Sequence, residues 1–265
     1  MTKKQPTILV IDVGGTNVKI HAGGRKEAVK IPSGPTMTAR KMVVAVRKAA
    51  ADWNYKAVSI GYPGPVLHDK PVTEPHNLAS GWVRFDYKKA FGVPVKIVND
   101  AAMQALGSYD GGRMLFLGLG TGLGSALIVD GSLEPMELAH LPYKKGMTYE
   151  DFVGLRGLKR LGKKKWRKNV AIVIDQLKKA LSADYVVLGG GNSKLLKQLP
   201  ADTRLGSNMN AFIGGARLWQ DSNERPAKAK SSKRAAKPKP AETPAAEEPV
   251  HHHAEEFVTV DVATS

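Results

Sequence analysis

"ILVIDVGGTNVKIHAGG", residues 8–24, decides how the rest of the chain is read. Apolar residues run to Asp12. The chain then turns through Val13, Gly14, Gly15 and Thr16, and a second stretch leaves through Asn17 and Lys19. The pattern predicts a strand, a glycine turn and another strand. Glycine permits backbone conformations and close approaches that a Cβ forbids. Successive N–H groups in such a turn can point at one anion. Thr16 and Asn17 add side-chain donors, and Lys19 adds positive charge. A carboxylate at Asp12 repels phosphate unless a metal lies between them, and a hard Mg2+ held through water suits that place. The stretch therefore reads as a phosphate cradle with a metal anchor, although a plain hairpin turn has the same outline. The P-loop pattern ending in Gly-Lys-Ser/Thr is absent. A dinucleotide fingerprint is excluded because a strand, not a helix, follows.

The same unit returns in "MLFLGLGTGLGSALIVDG", 114–131, where Gly120, Thr121 and Gly122 form the turn. A third glycine turn, Gly189–Gly190–Gly191, ends the apolar run "YVVL". Ile8–Ala22 and Met114–Asp130 thus read as two copies of one supersecondary unit. This predicts an α/β fold of two lobes, 1–98 and 99–220, with a cleft between them. Strands are expected in "KAVSIGYPGPV" and "PVKIVND". Helices are expected in "TARKMVVAVRKAAADW", "AAMQALGSY", "RKNVAIVIDQLKKAL" and "NAFIGGARLW", and one is expected to start after the third turn.

Residues 221–265 differ in composition. They are rich in Ala, Pro, Lys and Glu and poor in large apolar residues, so a disordered tail is expected there. The net charge of +16 is unevenly placed. The tail holds seven Lys/Arg and eight Asp/Glu, whereas the first 220 residues hold 33 basic and 16 acidic side chains. So basic a body attracts polyanions, or simply stays soluble. There are no cysteines, which excludes disulfides and thiolate-bound zinc. No apolar run reaches the roughly 20 residues of a membrane span, and no secretory leader is expected at the N-terminus. A cytoplasmic protein is expected.

Three further stretches carry polar groups. In "VPVKIVNDAAMQALG", Asn99 and Asp100 stand between a strand and a helix. They read either as helix caps or as a pair in which Asp100 takes a proton from an attacking hydroxyl while Asn99 holds a neighbouring one. "EPHNLASGW", 74–82, is a loop with Asn77. "MELAHLPY", 136–143, sets Glu137 and His140 three residues apart on one face of a turn, as sugar ligands or as a surface pair.

Together these residues resemble the ROK family of sugar kinases, within the actin/hexokinase-like (ribonuclease H-like) ATPases. "DVGGTNVK" and "LGLGTGLGSAL" are similar to its two phosphate motifs, "VNDAA" to its catalytic strand, "ELAH" to its sugar motif and "LGGG" to its late glycine turn. The resemblance implies a two-lobed fold closing on a hexose such as glucose. It implies Asp100 as the base and Asn99, Glu137 and His140 on the sugar, where the polar loop also sets Asn77. It further implies Asp12 on Mg2+ and phosphate, and a homodimer. The cysteine-rich zinc motif expected after His140 is replaced by "LPYKKGMTYEDFVG", so no zinc is expected, and Ala139 replaces a glycine. The short form without zinc looks most like the polyphosphate glucokinase branch, which implies polyphosphate or ATP as donor. The basic segment "GLKRLGKKKWRK", 157–168, reads as a polyphosphate contact or as a solvated helix. The alternative to a kinase is a sugar-responsive binding or regulatory protein on the same fold. No recognition helix or aromatic platform for specific nucleic-acid binding is evident.

Overall fold

A computed structural model describes residues 7–207 and 209–220. The tail expected to be disordered, 221–265, lies outside the described residues. Two five-stranded sheets repeat one topology. The first contains β1 (Ile8–Val13), β2 (Asn17–Ala22), β3 (Val29–Pro32), β4 (Ala57–Tyr62) and β7 (Val95–Asn99), in the order β3-β2-β1-β4-β7. Helix α1 (Ala39–Ala49) carries the chain from β3 to β4. Between β4 and β7 stand the short hairpin β5 (Val66–Leu67) and β6 (Lys70–Pro71), and then α2 (Tyr87–Phe91). After α3 (Asp100–Ser108) come β8 (Arg113–Leu119), β9 (Leu123–Val129), β10 (Ser132–Met136), the hairpin β11 (Pro142–Lys144) and β12 (Met147–Thr148), α4 (Tyr149–Val153) and α5 (Leu155–Ala180). β13 (Tyr185–Gly189), β14 (Thr203–Leu205) and α6 (Asn210–Arg217) complete the fold. The second sheet runs β10-β9-β8-β13-β14. In each sheet an antiparallel three-stranded meander continues into two parallel strands. Each glycine turn therefore joins the central strand of its sheet to a hairpin partner. This is the duplicated α/β arrangement that the two sequence copies predict.

Each sheet has its own core. Leu9, Ile11, Ile20, Met42, Val46 and Ile60 are buried in the first, and Leu115, Leu117, Trp166, Val170, Ile174 and Leu188 in the second. α1 repeats apolar residues at helical spacing and buries Met42, Val43 and Val46, while its last turn carries Arg47 and Lys48, favourable against the helix dipole. Helices α3 and α6 pack on each other through Gly107 and Gly214, where a Cβ would run into the backbone of Asn210 and Met103 respectively. α3 also lies against β9, and α6 against β1, so this helix pair joins the two sheets.

The helix expected from Arg167 begins twelve residues earlier, at Leu155, because Trp166 anchors the basic stretch by donating from its indole Nε1 to the Val153 carbonyl at 2.8 Å. Gly162, at φ 71°, interrupts it. The helix expected after the third glycine turn is a single 3-10 turn, Gly191–Leu195, which ends at Leu196 in extended backbone. Among the described residues no helix is long and apolar enough to cross a membrane.

Candidate active site

The first turn is held from several sides. Gly14 N–H donates to the Asn17 carbonyl at 3.0 Å, closing the hairpin. The Ser33 hydroxyl donates to the Gly14 carbonyl at 2.6 Å, and the Ser33 N–H donates to the Thr16 carbonyl at 3.0 Å. Asp12, next to last in β1, stands opposite Lys19 on β2, and the Lys19 Nζ lies 3.2 Å from Asp12 Oδ2. The Asp12 side chain is 14% exposed and that of Lys19 is 43% exposed, so the pair faces an opening rather than the core. Gly15 faces Asn77: a Cβ on Gly15 would sit 3.0 Å from the Asn77 Cβ. The first glycine turn and the 74–82 loop are thus neighbours.

Asp100 is brought to this turn by the register of the first sheet. Asp12 pairs with Gly61 on β4, and the Asp100 Cα lies 3.5 Å from where a Gly61 Cβ would stand. The residue after it, Ala101, meets the second phosphate unit, where a Gly124 Cβ would approach the Ala101 Cβ to 2.8 Å. Asp100 therefore stands at the seam between the two glycine hairpins. By surface area the residue is only partly buried, but protein surrounds its carboxylate closely enough for burial to dominate its chemistry. Burial first, then the Asp12 charge and, more weakly, Glu137, raise the Asp100 carboxyl from 3.8 to about 7, against the opposing N–H bonds of Ala101 and of its own backbone. A group poised near neutrality is a better proton acceptor than an ordinary carboxylate.

Asn99 caps α3. Its Oδ1 accepts from Ala101 N–H at 2.9 Å and from Ala102 N–H at 3.2 Å, while its Nδ2 donates to the Gly64 carbonyl at 3.1 Å. One amide hydrogen stays available to a ligand. Both readings of "ND" thus meet in one place: Asn99 is the cap, and Asp100, at the first helical position, has the perturbed carboxyl.

The second turn closes through Gly120 N–H on the Gly122 carbonyl at 3.2 Å, leaving Thr121 exposed. The third turn lies beside it, since Asn192 Nδ2 donates to the Gly120 carbonyl at 2.9 Å and a Cβ at Gly190 would run into the backbone of Leu119. A small cavity of about 90 Å³ opens next to Gly189 and Gly190, with Gln104, Lys194 and Asn210 on its walls. Glu137 and His140 are exposed and flank the 3-10 turn Leu138–His140, where residues three apart lie on one side. That turn hangs from β9: Ser125 Oγ donates to the Met136 carbonyl at 2.8 Å and accepts from Leu138 N–H at 3.2 Å. Ala139 is buried in the second core.

Ser33, Ser125 and Glu150 are parts of the site framework to which the motifs assign no role. Glu150 Oε2 accepts from Leu123 N–H at 3.4 Å and covers Gly122, and Arg156 holds its other oxygen at 3.1 Å. A hydroxyl inside the otherwise apolar "GSALI" was the available signal for Ser125. Glu150 and Ser33 depend on contacts distant in sequence. Among the described residues no group of three His, Asp or Glu is arranged to hold a metal by itself.

Comparison with known proteins bears on the fold and the family. Residues 8–135 match the ROK family. A polyphosphate glucokinase of Mycobacterium tuberculosis is 28% identical over 211 residues, covering 69% of this chain and 77% of that protein. The fold is similar to that of an inorganic polyphosphate/ATP-glucomannokinase from Arthrobacter sp. strain KM, with TM-score 0.69, 24% identity and 81% and 98% of the two chains covered. It is also similar to a ROK family glucokinase from Streptomyces griseus in complex with glucose and AMPPNP, with TM-score 0.64, 17% identity and 80% and 98% covered. Two glycine hairpins, a carboxylate at their seam and these matches point the same way: residues 8–135 match the ROK family, and the fold is similar to that of its sugar kinases.

Proposed function

We propose that this protein is a sugar kinase that moves the terminal phosphoryl group of polyphosphate or ATP to the 6-hydroxyl of glucose or a related hexose. The observation that carries the reading is the placement of Asp100, with a carboxyl raised to about 7, at the seam of two glycine hairpins. Asn77, Glu137 and His140, with the free amide hydrogen of Asn99, would hold the sugar hydroxyls. Asp100 orients the attacking oxygen and takes its proton. In a loose phosphoryl-transfer transition state that proton leaves late, so alignment contributes more than basicity. The N–H groups of Gly14–Thr16 and Gly120–Gly122 would cradle donor phosphates, and Lys19 adds charge where phosphate oxygens lie. The turn Gly189–Gly191 would border the far end of the donor.

The residues fit a Mg2+ ion held in part by the protein. Asp12 and Glu137 both raise the Asp100 carboxyl although Lys19 pairs with Asp12, an excess of negative charge that a divalent ion would relieve. Asp12 would hold it through water, with phosphate oxygens filling other positions. When bound, Mg2+ neutralises charge on the transferring phosphate.

For the donor, the reading favours polyphosphate on the strength of α5. That helix starts on the second turn, where Leu155 N–H donates to the Thr121 carbonyl at 3.0 Å. Farther along, Arg167 Nε donates to the Leu195 carbonyl at 2.7 Å, beside the third turn. Between them Lys159, Lys163, Lys164 and Lys165 are exposed, and the sequence has no acidic residue from Phe152 to Ile174. A long polyanion leaving the cleft meets this strip.

The test is a donor panel: purified protein, glucose, Mg2+ and either polyphosphate or ATP, with glucose 6-phosphate detected by a coupled dehydrogenase. Turnover with at least one donor is expected. No turnover with any hexose, alongside measurable sugar binding, would replace the kinase with a sugar-responsive binding protein.

A further inference from the structure

Asn77 lies on the loop 74–82, whose tip is exposed while its stem is heavily tied. Tyr62 donates its hydroxyl to the Thr73 carbonyl at 2.7 Å, and Tyr87 donates to the Trp82 carbonyl at 3.1 Å. Burial raises both phenols above their ordinary value, so both remain donors. Trp82 is fully buried, and its Nε1 donates to the Ala79 carbonyl at 2.8 Å. Ala79 N–H donates to the Met37 carbonyl at 3.0 Å. One group spans the mouth of the stem: the Glu74 carboxylate accepts from Trp82 N–H at 3.0 Å and from Val83 N–H at 3.3 Å. Glu74 is exposed and lies at neither glycine hairpin, so nothing in the phosphate chemistry requires it.

We propose that Glu74 is a positioning residue that closes the 74–82 loop and so sets Asn77 against Gly15 for hexose binding. Three facts converge on this. The carboxylate joins the two ends of the loop rather than a neighbouring element. The loop it closes presses Asn77 on the first phosphate turn. The stem also adjoins the catalytic strand, because Tyr62 pairs with Asn99 across β4 and β7. Charge-assisted bonds from a carboxylate to backbone N–H groups are about twice as strong as neutral ones. Opening the stem leaves Leu78 and Trp82 anchored in the core but loosens the segment between Glu74 and Leu78 that carries Asn77. The hexose then must order the tip on binding, which weakens affinity without touching the phosphoryl donor.

The proposal rests on Asn77 contacting the sugar, and the experiment separates the two ideas. Glucose affinity is measured by calorimetry on the full chain, and the Michaelis constants of both substrates are measured for Glu74→Ala, Glu74→Gln, Asn77→Ala and the double variant. Thermal melts establish that each variant is folded. Expected is a roughly tenfold weaker glucose affinity in Glu74→Ala, a smaller loss in Glu74→Gln, which keeps one acceptor oxygen, and a donor Michaelis constant within about twofold of the parent. Glu74→Ala should add almost nothing in the Asn77→Ala background, because it acts through that residue. If Asn77→Ala weakens glucose but a folded Glu74→Ala does not, or if the two losses add fully, Glu74 is not a positioning residue. If Asn77→Ala leaves glucose affinity unchanged, the sugar loop itself is misassigned. Should Glu74→Ala fail to fold, Glu74→Gln alone decides: an unchanged glucose affinity overturns the proposal.

Discussion

Replacing Asp100 by Asn should stabilise the fold while ending turnover. The wild-type carboxyl rises from 3.8 to about 7 in the folded protein. Below 3.8 it is neutral in both states. Between 3.8 and 7 the folded protein keeps a proton that the unfolded chain has released, so stability falls as pH rises through that window. Above 7 the penalty is complete. At about 1.4 kcal/mol per pH unit, holding the charge costs the fold up to ~4 kcal/mol. Part of that is returned by the helix dipole, which favours a negative charge at this first helical position by about 0.3–1 kcal/mol. Partial exposure reduces it further. A net gain of about 2 kcal/mol in Asp100→Asn at pH 8 is expected, which for an ordered body of this size is about 4–8 °C in Tm. The gain should fall below half its value by about pH 5 and nearly vanish near pH 4, where the wild-type carboxyl is also neutral. Thermal melts of both proteins from pH 4 to 8.5, monitored by circular dichroism, measure this directly. In parallel, kcat should fall by at least about a hundredfold, with glucose affinity within about tenfold because the amide still forms hydrogen bonds. An Asp100→Asn protein that melts no higher than the parent at pH 8, or whose advantage is the same at every pH, would refute the claim that burial and Asp12 strain this carboxylate. Retained turnover would refute its role as the base.

Other consequences can be measured separately. The pH profile of kcat/KM should show an acidic limb near 7, since Asp100 must be charged to act. Glu137→Gln should move that limb to lower pH by removing a charge that opposes ionisation, and a limb left in place would separate Glu137 from the site. Lys19→Met removes the cation 3.2 Å from Asp12 and should raise the donor's Michaelis constant roughly tenfold or more with little effect on the hexose constant, as read by varying each substrate in turn. Joint replacement of Lys163, Lys164 and Lys165 by Ser should raise the Michaelis constant for polyphosphate more than for ATP and flatten its dependence on salt; equal effects on both donors would remove that strip from donor binding. Gly124→Ala places a Cβ 2.8 Å from that of Ala101 and should cost about 1–3 kcal/mol, visible as a lower Tm together with lost activity.

What the sequence made legible was what has a local cause. Each hairpin is written in a short apolar run, a glycine pair and a second run, and the two copies announce the duplicated sheet before any contact is known. Asp100 was legible as a residue, but its chemistry was not. An isolated carboxylate next to a helix start suggests an ordinary acid, and only its burial in the fold, with Asp12 set beside it by the pairing of Asp12 with Gly61, makes the site unusual. The same holds for Ser33, Ser125 and Glu150. Each acts on a backbone group between eleven and 27 residues away, and no periodicity encodes such a bond. Helix α5 was half legible for a related reason. Its amphipathic end shows the helical period from Arg167 on, whereas the stretch from Leu155 to Trp166 carries so many basic side chains that its apolar side reduces to a few residues, with the Trp166 indole bond to Val153 fixing the turn.

The distribution of charge ties these observations together. A body with 33 basic and 16 acidic residues sets Asp12, Asp100 and Glu137 close enough for each of the other two to raise the Asp100 carboxyl. In a fold selected only for stability such a cluster is a cost, since burial, Asp12 and Glu137 make Asp100 harder to ionise. The surrounding excess of lysine does not relieve it: Lys19 reaches Asp12 alone, and the α5 lysines stand exposed beyond the second hairpin. In the proposed reaction the arrangement is therefore one that incoming ligands would complete: the basic surface would draw a polyanion, a divalent cation would offset the acids, and the alcohol would meet a carboxylate able to take its proton. A stability gain in Asp100→Asn that disappears when Mg2+ and donor are bound to the wild type would be the thermodynamic signature of that completion, because ligands that lower the Asp100 pKa stabilise the charged form that the empty fold disfavours.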